Sequence, residues 1–328
     1  MKLEDTPAVK PGSFMETQQT ARTGFFLKIT IPLLILSFLG WAIARNWSPI
    51  QERVASANYS FLVLSLLLLI LGHAGGAYLW FKILARGTKL NYKEAFRVFI
   101  VSNFGRFIPG VILHYVARVY LARKIGISTK EGILSVFLEA YYTLGGAILI
   151  SLFALPLIFK IFNIPWQLFI LVLLLVGLLI AILPSKVFRY AKKIPYLGKR
   201  IPPYPHQETF GTHTFFLIWS ASLFLLNGVS FFLIALAFTN TVLSDLLVLS
   251  GLFAAAWVVG FLTPVAPGGL GVSDLSFAFL LTTFYDFPLA AFLTIVFRFG
   301  FLLSEGIIFL FIIRISGWDI ISGRGQKE

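Results

Sequence analysis

The chain has 328 residues, of which 58% are hydrophobic and only 12% are charged, and its mean hydropathy is +0.88. These values lie outside the range of soluble domains and leave no room for a separate aqueous domain, because long apolar stretches recur almost from end to end. The net charge of +13 favours a membrane surface over nucleic acid as the partner. With no cysteine, disulfides, thiolate metal sites and cysteine nucleophiles are excluded.

The two ends of the chain are more polar than the rest. Residues 1–24 predict a disordered cytoplasmic tail, and residues 316–328 a second cytoplasmic tail. The apolar run at 25–44 predicts an uncleaved membrane anchor, because it is too long for a signal-peptide core and ends near Trp41 and Trp47, which suit the membrane interface.

Eight apolar stretches follow one another along the chain. A hydrocarbon core of about 30 Å needs roughly 20 helical residues per crossing. The sequence therefore predicts an all-α, polytopic integral membrane helix bundle with about six to eight spans. The stretches cover about 25–44, 59–81, 98–117, 131–159, 164–184, 213–240, 245–284 and 288–313.

Two of these stretches contain helix breakers and predict broken or re-entrant segments. The first holds Pro109 and Gly110, and the second holds Pro267, Gly268, Gly269 and Gly271. Non-helical backbone at membrane depth must face protein or a watery cavity. Most basic residues fall on one side if 98–117 re-enters from the cytoplasm and 245–284 from outside, with both termini cytoplasmic. Two complete crossings within 245–284 would leave the flanking loops on the same side of the membrane and are the alternative.

The two Pro-Gly pairs also suggest an internal repeat. Moving Pro109 onto Pro267 is a shift of 158 residues, and it aligns apolar stretches of the two halves of the chain. We therefore predict halves at 25–160 and 164–315 with inverted topology, an arrangement common in transporters. Chance alignment of apolar helices is the alternative.

Three residues near the first break are candidate ligands for an anionic head group. Arg106, His114 and Arg118 lie close to Pro109-Gly110, and guanidinium groups form bidentate hydrogen bonds with phosphate. The alternative is that the two arginines extend to the membrane interface.

The second break carries the run Thr263–Asp274, TPVAPGGLGVSD. Its glycines permit non-helical turns and close backbone approach, and Asp274 is suited to cap the helix that returns. We expect a backbone cradle for an ion or a polar head group, or else a structural hinge. The absence of a GK[ST] sequence argues against a nucleotide site.

Glu139, Arg298 and Glu305 are isolated charges in apolar stretches and need partners, since such groups are costly in a membrane. The shift of 158 carries Glu139 to position 297, next to Arg298, so a true repeat would put the two at equivalent depths, where they could pair across the pseudo-twofold axis. Arg298 and Glu305 share one helical face. The pairs would serve either a substrate or proton relay or structure alone. His73, among glycines, predicts a hydrogen bond to a neighbouring helix and not a metal site.

At these motifs the chain resembles the lysylphosphatidylglycerol synthase transmembrane-region family of flippase-like proteins, over about residues 25–315. The likeness rests on PGGLG at 267–271 followed by Asp274, and on Pro109-Gly110 followed by Arg118 and Leu-Ala-Arg-Lys. Members often carry Gly-Glu or Gly-Asp after the first Pro-Gly, where this chain has His114 and its neighbours. The resemblance implies a membrane domain associated with moving aminoacylated phospholipids or lipid-linked sugars between leaflets, in the cell membrane.

Three functions follow as hypotheses. The first is a translocase for a phospholipid or a lipid-linked glycan with an anionic or glycosylated head group, without cofactor, metal or catalytic residues. The second is a lipid-modifying membrane enzyme with Glu139 or Asp274 as base and His114 as acid or base. The third is a scaffold for a separate synthase or glycosyltransferase. Lipid aminoacylation is not expected, because no soluble synthase domain follows Gly317.

Overall fold

The computed structural model describes residues 30–85, 90–107, 113–165, 209–263 and 271–316, and the single positions 168, 171, 172, 177, 186, 193 and 269. Of Arg106 and Phe107 it describes the backbone alone. The predicted tail at 1–24, nearly all of the tail at 316–328 and most of the stretch at 164–184 lie outside these residues.

The described chain is helical throughout and holds no strand, which confirms the predicted all-α class. Short 3₁₀ turns flank several of the helices, at Phe104–Phe107, Leu152–Ala154, Leu243–Asp245 and Leu281–Thr283. The α-helices in chain order are α1 (Thr30–Arg45), α2 (Trp47–Ala55), α3 (Tyr59–Leu84), α4 (Tyr92–Asn103), α5 (Leu113–Lys124), α6 (Thr129–Ser151), α7 (Leu155–Ile161), α8 (Phe210–Phe238), α9 (Leu246–Leu262), α10 (Val272–Leu280) and α11 (Phe287–Ser316).

Five segments in the described chain are long and apolar enough to cross a membrane, and α1 with α2 makes a sixth if this pair, bent by 80°, is one span. The five contain α3, α6 with α7, α8, α9 and α11. The protein is therefore a polytopic integral membrane helix bundle, as predicted. The bend at Asn46 lets α2 turn across the end of α8, where Arg53 Nη1 donates to the carbonyl oxygen of Phe238 at 3.3 Å.

The stretch at 98–117 is broken into the two short helices α4 and α5. Each has 12 residues and is therefore about 18 Å long, too short for a hydrocarbon core of about 30 Å. They pack against each other, and Arg118 of α5 reaches back to Asn103 at the end of α4. The segment enters the bundle and turns back, as predicted; Pro109 and Gly110 themselves lie outside the described residues.

The stretch at 245–284 also enters and returns. Helix α9 packs along the shorter α10, and the ends of the stretch meet where the Thr241 hydroxyl bonds the Tyr285 hydroxyl at 2.7 Å. Both ends therefore lie on the same face of the bundle. Pro267 and Gly268 lie outside the described residues.

Small residues bring the long helices close together around α8. A Cβ atom on Gly146 of α6 would lie 2.6 Å from backbone atoms of Ser220 and Ala221. One on Gly251 of α9 would lie 2.6 Å from the backbone nitrogen of Ala154. Close backbone approach of this kind drives helix association in membranes, where burial of apolar surface contributes little between helices. This close packing through Gly146 and Gly251 holds α6, α8 and α9 around the space between the two broken segments.

Candidate functional site

Both broken segments line one cavity of about 430 Å³ in the middle of the bundle. Helices α4 and α5 contribute from the first segment, and α9 and α10 from the second. Residues of α3, α6, α8 and α11 complete the wall. The polar side chains of this wall include Asn103, His114, Arg118, Glu139, Ser220, Asn227, Ser273, Asp274 and Arg298.

Arg118 forms an ion pair with Glu139 on the wall nearest the first break. Its Nη1 donates to Glu139 Oε2, its Nη2 donates to Asn103 Oδ1, and its Nε donates to Ser102 Oγ at 3.0 Å. The guanidinium carbon lies 4.1 Å from the ring centroid of Phe99, within the range of a cation–π contact. The side chain is only 2% exposed, so Arg118 does not extend to the membrane interface. All three of its nitrogens are held, and the residue fixes α5 against α6 and α4.

Arg298 of α11 forms the second ion pair, with Asp274 of α10. Its Nη2 lies 2.6 Å from Asp274 Oδ1, and its Nε donates to the same oxygen at 2.8 Å. Nη2 also donates to Ser273 Oγ at 3.0 Å. The Arg298 side chain is 24% exposed, against 2% for Arg118. These hydrogen bonds use Nε and Nη2, none to a described residue involves Nη1, and Arg298 lines the cavity.

The backbone around Asp274 explains the glycines of the second motif. Gly269 and Gly271 have φ values of +72° and +80°, a region that residues with a Cβ atom rarely adopt. The Gly271 N–H then donates to Asp274 Oδ2 at 3.0 Å. Asp274 therefore caps the first turn of α10 with one oxygen, as expected, and binds Arg298 with the other.

The predicted pairing of Glu139 with Arg298 is wrong, because each has a partner within its own half of the chain. In each half the short helix after the break packs against the next long helix, α5 on α6 and α10 on α11. The ionic partner of each charge therefore comes from the short helix of its own half. Arg298 also does not pair with Glu305, which is fully buried two turns further along α11 and is not part of the cavity wall.

Several other predicted residues can be placed. His114 lines the cavity with its ring 3.8 Å from that of Tyr115, and Gly269 lines it beside α9. Arg106 is in a 3₁₀ turn, and its side chain is outside the described part of the structure. His73 shares a hydrogen bond of 3.0 Å with Ser304 of α11, which confirms the predicted contact with a neighbouring helix. Among the described residues no group of three or more His, Asp or Glu side chains could hold a metal.

Sequence reasoning missed the polar side chains of α8. Ser220 and Asn227 both line the cavity, and Ser220 Oγ is buried without a hydrogen-bond partner among the described residues. The signal was present, because the two residues are seven apart in an apolar helix and so share one face. They add polar groups from α8 to the wall that also carries the two ion pairs.

Span-length helices packed through small residues around a cavity with two ion pairs define a polytopic membrane protein with an internal polar site. Residues 26–303 match the sequence profile of the family described as the lysylphosphatidylglycerol synthase TM region. The chain belongs to this family, whose membrane domain is associated with lipid-related proteins. No curated protein gives a significant match.

Proposed function

We propose that the protein is a translocase that moves a phospholipid or a lipid-linked glycan across the cell membrane. The observation that carries this proposal is the shared cavity, to which each broken segment contributes one member of an ion pair. In this mechanism the lipid head group passes through the cavity while its hydrocarbon chains extend towards the bilayer. In this proposal both termini lie in the cytoplasm.

The second ion pair is the proposed site of head-group binding. A phosphate oxygen bound to Nη1 of Arg298 would form a charge-assisted hydrogen bond. Asp274 would then loosen its hold on the guanidinium and bind it again when the lipid leaves. An uncompensated Arg at membrane depth costs about 2.5 to 3.5 kcal/mol on insertion scales. Asp274 therefore balances the charge of Arg298 when the cavity is empty, and the lipid phosphate balances it when a head group is bound.

The first ion pair has a different role. Arg118 is almost completely buried and donates to three neighbouring side chains, so a substrate would have to break several hydrogen bonds to reach it. We assign Arg118 to positioning: it holds Glu139, His114 and the first broken segment at the cavity wall. Arg298 is the residue that we expect to contact the head group.

The cavity bears differently on the two competing functions. A lipid-modifying enzyme would use Glu139 or Asp274 as base, but both carboxylates are already engaged by an arginine, which favours the translocase. A scaffold that recruits a synthase or glycosyltransferase would have no use for charged side chains that line a cavity inside the bundle.

Reconstitution in liposomes tests the proposal. The full chain is inserted into vesicles with head-group-labelled anionic, zwitterionic or glycosylated lipids, and exposure in each leaflet is followed with and without an ion gradient or a membrane potential. We expect faster exchange than in protein-free vesicles for at least one lipid class. Equal rates for all classes would refute the translocase, and a chemically altered lipid would indicate the enzyme.

A further inference from the structure

Three aromatic rings in contact form one side of the cavity, and we call them the aromatic ladder: Phe224 of α8, and Trp257 and Phe261 of α9. The ring centroids of Phe224 and Trp257 are 5.0 Å apart. Those of Trp257 and Phe261 are 4.9 Å apart, with the ring planes only 17° from parallel. All three residues line the cavity, so these rings border open space in addition to packing against each other.

The inner end of the aromatic ladder leads to the second ion pair. The Phe224 ring lies 6.2 Å from that of Phe253, which lies 5.1 Å from that of Phe297. Phe297 directly precedes Arg298 and also lines the cavity. A continuous row of aromatic rings therefore runs from Phe297 of α11 to Phe261 of α9, and Arg298 lines the same cavity.

The outer end of the aromatic ladder reaches the surface of the bundle. Phe224 is buried, whereas Phe261 is 37% exposed and its neighbour Leu262 is 63% exposed. In a helix bundle within a membrane, such exposed apolar side chains face lipid. The ladder thus joins the polar part of the cavity to the lipid-facing surface near the end of α9.

We propose that the aromatic ladder binds a hydrocarbon chain of the transported lipid, an inference that rests on the proposed function. A head group at Arg298 needs a path for its attached chain to the bilayer, and the ladder offers an apolar path from the cavity that Arg298 lines to the exposed end of α9. Flat rings contact methylene groups through dispersion forces, without a hydrogen bond to satisfy. The ladder therefore accepts acyl and prenyl chains alike, and the chain contributes to recognition together with the head group.

Photo-crosslinking tests this directly. The full chain in lipid nanodiscs is exposed to a phospholipid with a diazirine in its acyl chain or, in a second arm, to a diazirine-labelled polyprenyl phosphate. Adducts are located by peptide mass spectrometry. We expect adducts on Phe224, Trp257 or Phe261 that the same unlabelled lipid removes and glycerol phosphate does not. The arm that gives them identifies the chain class.

Leu310 and Phe311 of α11 serve as an internal control, because they are 67% and 63% exposed and sample bulk lipid. Adducts there should persist with competitor. Ladder adducts that are equally insensitive to competitor, or no ladder adducts with either probe, would overturn the inference.

Variants of the aromatic ladder give a second readout. We expect Trp257→Ala and Phe261→Ala each to lower competable labelling roughly fivefold to tenfold, since several methylene contacts are lost. The matched control is Phe299→Ala on the lipid-facing side of α11, which is 65% exposed. Phe261→Ala removes an already exposed ring and keeps the test valid if Trp257→Ala does not fold. Unchanged labelling of Phe261→Ala would contradict a bound chain.

The crosslinking result is independent of transport. Competable adducts together with no lipid exchange in liposomes would leave the chain site standing and refute the translocase. Lipid exchange without ladder adducts would leave the translocase standing and refute the chain site.

Discussion

Glu139 and Arg298 carry opposite charges, and each binds the short helix that follows the break in its own half of the chain. Glu139 of α6 binds Arg118 of α5, and Arg298 of α11 binds Asp274 of α10. The two halves thus use the same pair of elements with the charges exchanged between short and long helix. This arrangement is what an inverted repeat would produce if the charges had changed places, and the repeat itself stays a prediction.

We predict that Arg298→Gln lowers the rate of lipid exchange at least tenfold. Glutamine keeps a hydrogen-bond donor but loses the charge and the planar fork that bind phosphate, and about 1.4 kcal/mol of lost interaction suffices for a tenfold effect. The measurement is the initial rate of leaflet exchange in liposomes.

The matched control for this variant is Arg314→Gln, at the exposed end of the same helix. This variant changes the net charge by the same amount. Its rate of lipid exchange should stay within about twofold of that of the original chain, because a surface charge far from the cavity contributes little. Full activity of Arg298→Gln would exclude Arg298 as the head-group ligand even if transport is real.

The Arg118–Glu139 pair should matter for stability before it matters for transport. Arg118→Met leaves Glu139 buried without its partner and removes the donor to Asn103, and such a break costs about 3 to 5 kcal/mol. The double variant Arg118→Met/Glu139→Met should recover much of this loss, since no buried charge remains.

Thermal unfolding in detergent micelles gives the comparison for this pair. The midpoint temperature should fall clearly for the single variant and rise again for the double variant. A double variant as unstable as the single one would mean that the hydrogen bonds to Asn103 and Ser102, and not the ion pair, hold α5 in place.

The sequence predicted the spans, the two breaks and the need of Glu139 and Arg298 for partners, because hydropathy and the cost of buried charge are local properties. It did not predict which charges meet. Glu139 could pair with Arg118 or Arg298, and the choice depends on which helices pack together, information that hydropathy periodicity does not contain.

The same limit applies to the close contact of α9 with α10. In the sequence, Gly260 is one small residue in an apolar run. In the structure it lets Ser273, on the far side of the break, approach α9 closely. Asp274, in contrast, was predicted as a cap because that role depends on the next helical turn alone.

We predict that Gly260→Ala impairs transport through this contact. A Cβ atom there would lie 2.7 Å from the Cβ of Ser273, so α10 must move away from α9. Ser273 and Asp274 would then shift relative to Arg298, and displacements near 1 Å are enough to disturb a binding site. Lipid exchange should fall several-fold, while the protein remains folded by circular dichroism.

Gly306→Ala is the control for this glycine. It lies within α11, and no atom lies within 4 Å of the Cβ that it would gain. We expect unchanged transport and a stability equal to or up to about 1 kcal/mol above that of the original chain, because alanine is the better helix former. Equal transport in both variants would show that the α9–α10 contact is not needed at the site.

Single cysteines test the topology, and the chain contains no native cysteine to confuse the labelling. Asn240 and Asp286 are exposed and lie on one face, because the adjacent Thr241 and Tyr285 hydroxyls are bonded at 2.7 Å. Thr129 must lie on the other face. Ile308 and Ile312 near the end of α11 pack in one cluster with Ile127, and the 30 residues of α11 place Phe287 about 45 Å from Ser316.

Asn240→Cys and Asp286→Cys should therefore react with a membrane-impermeant maleimide added outside intact cells, whereas Thr129→Cys should react only after the membrane is opened. If only Thr129→Cys reacts from outside, the fold stands and the proposed orientation in the membrane is reversed. If Thr129→Cys and Asp286→Cys react equally from one side, α11 does not cross the bilayer. A head group in the cavity would then have no second leaflet to reach, and the translocase would fail together with the topology.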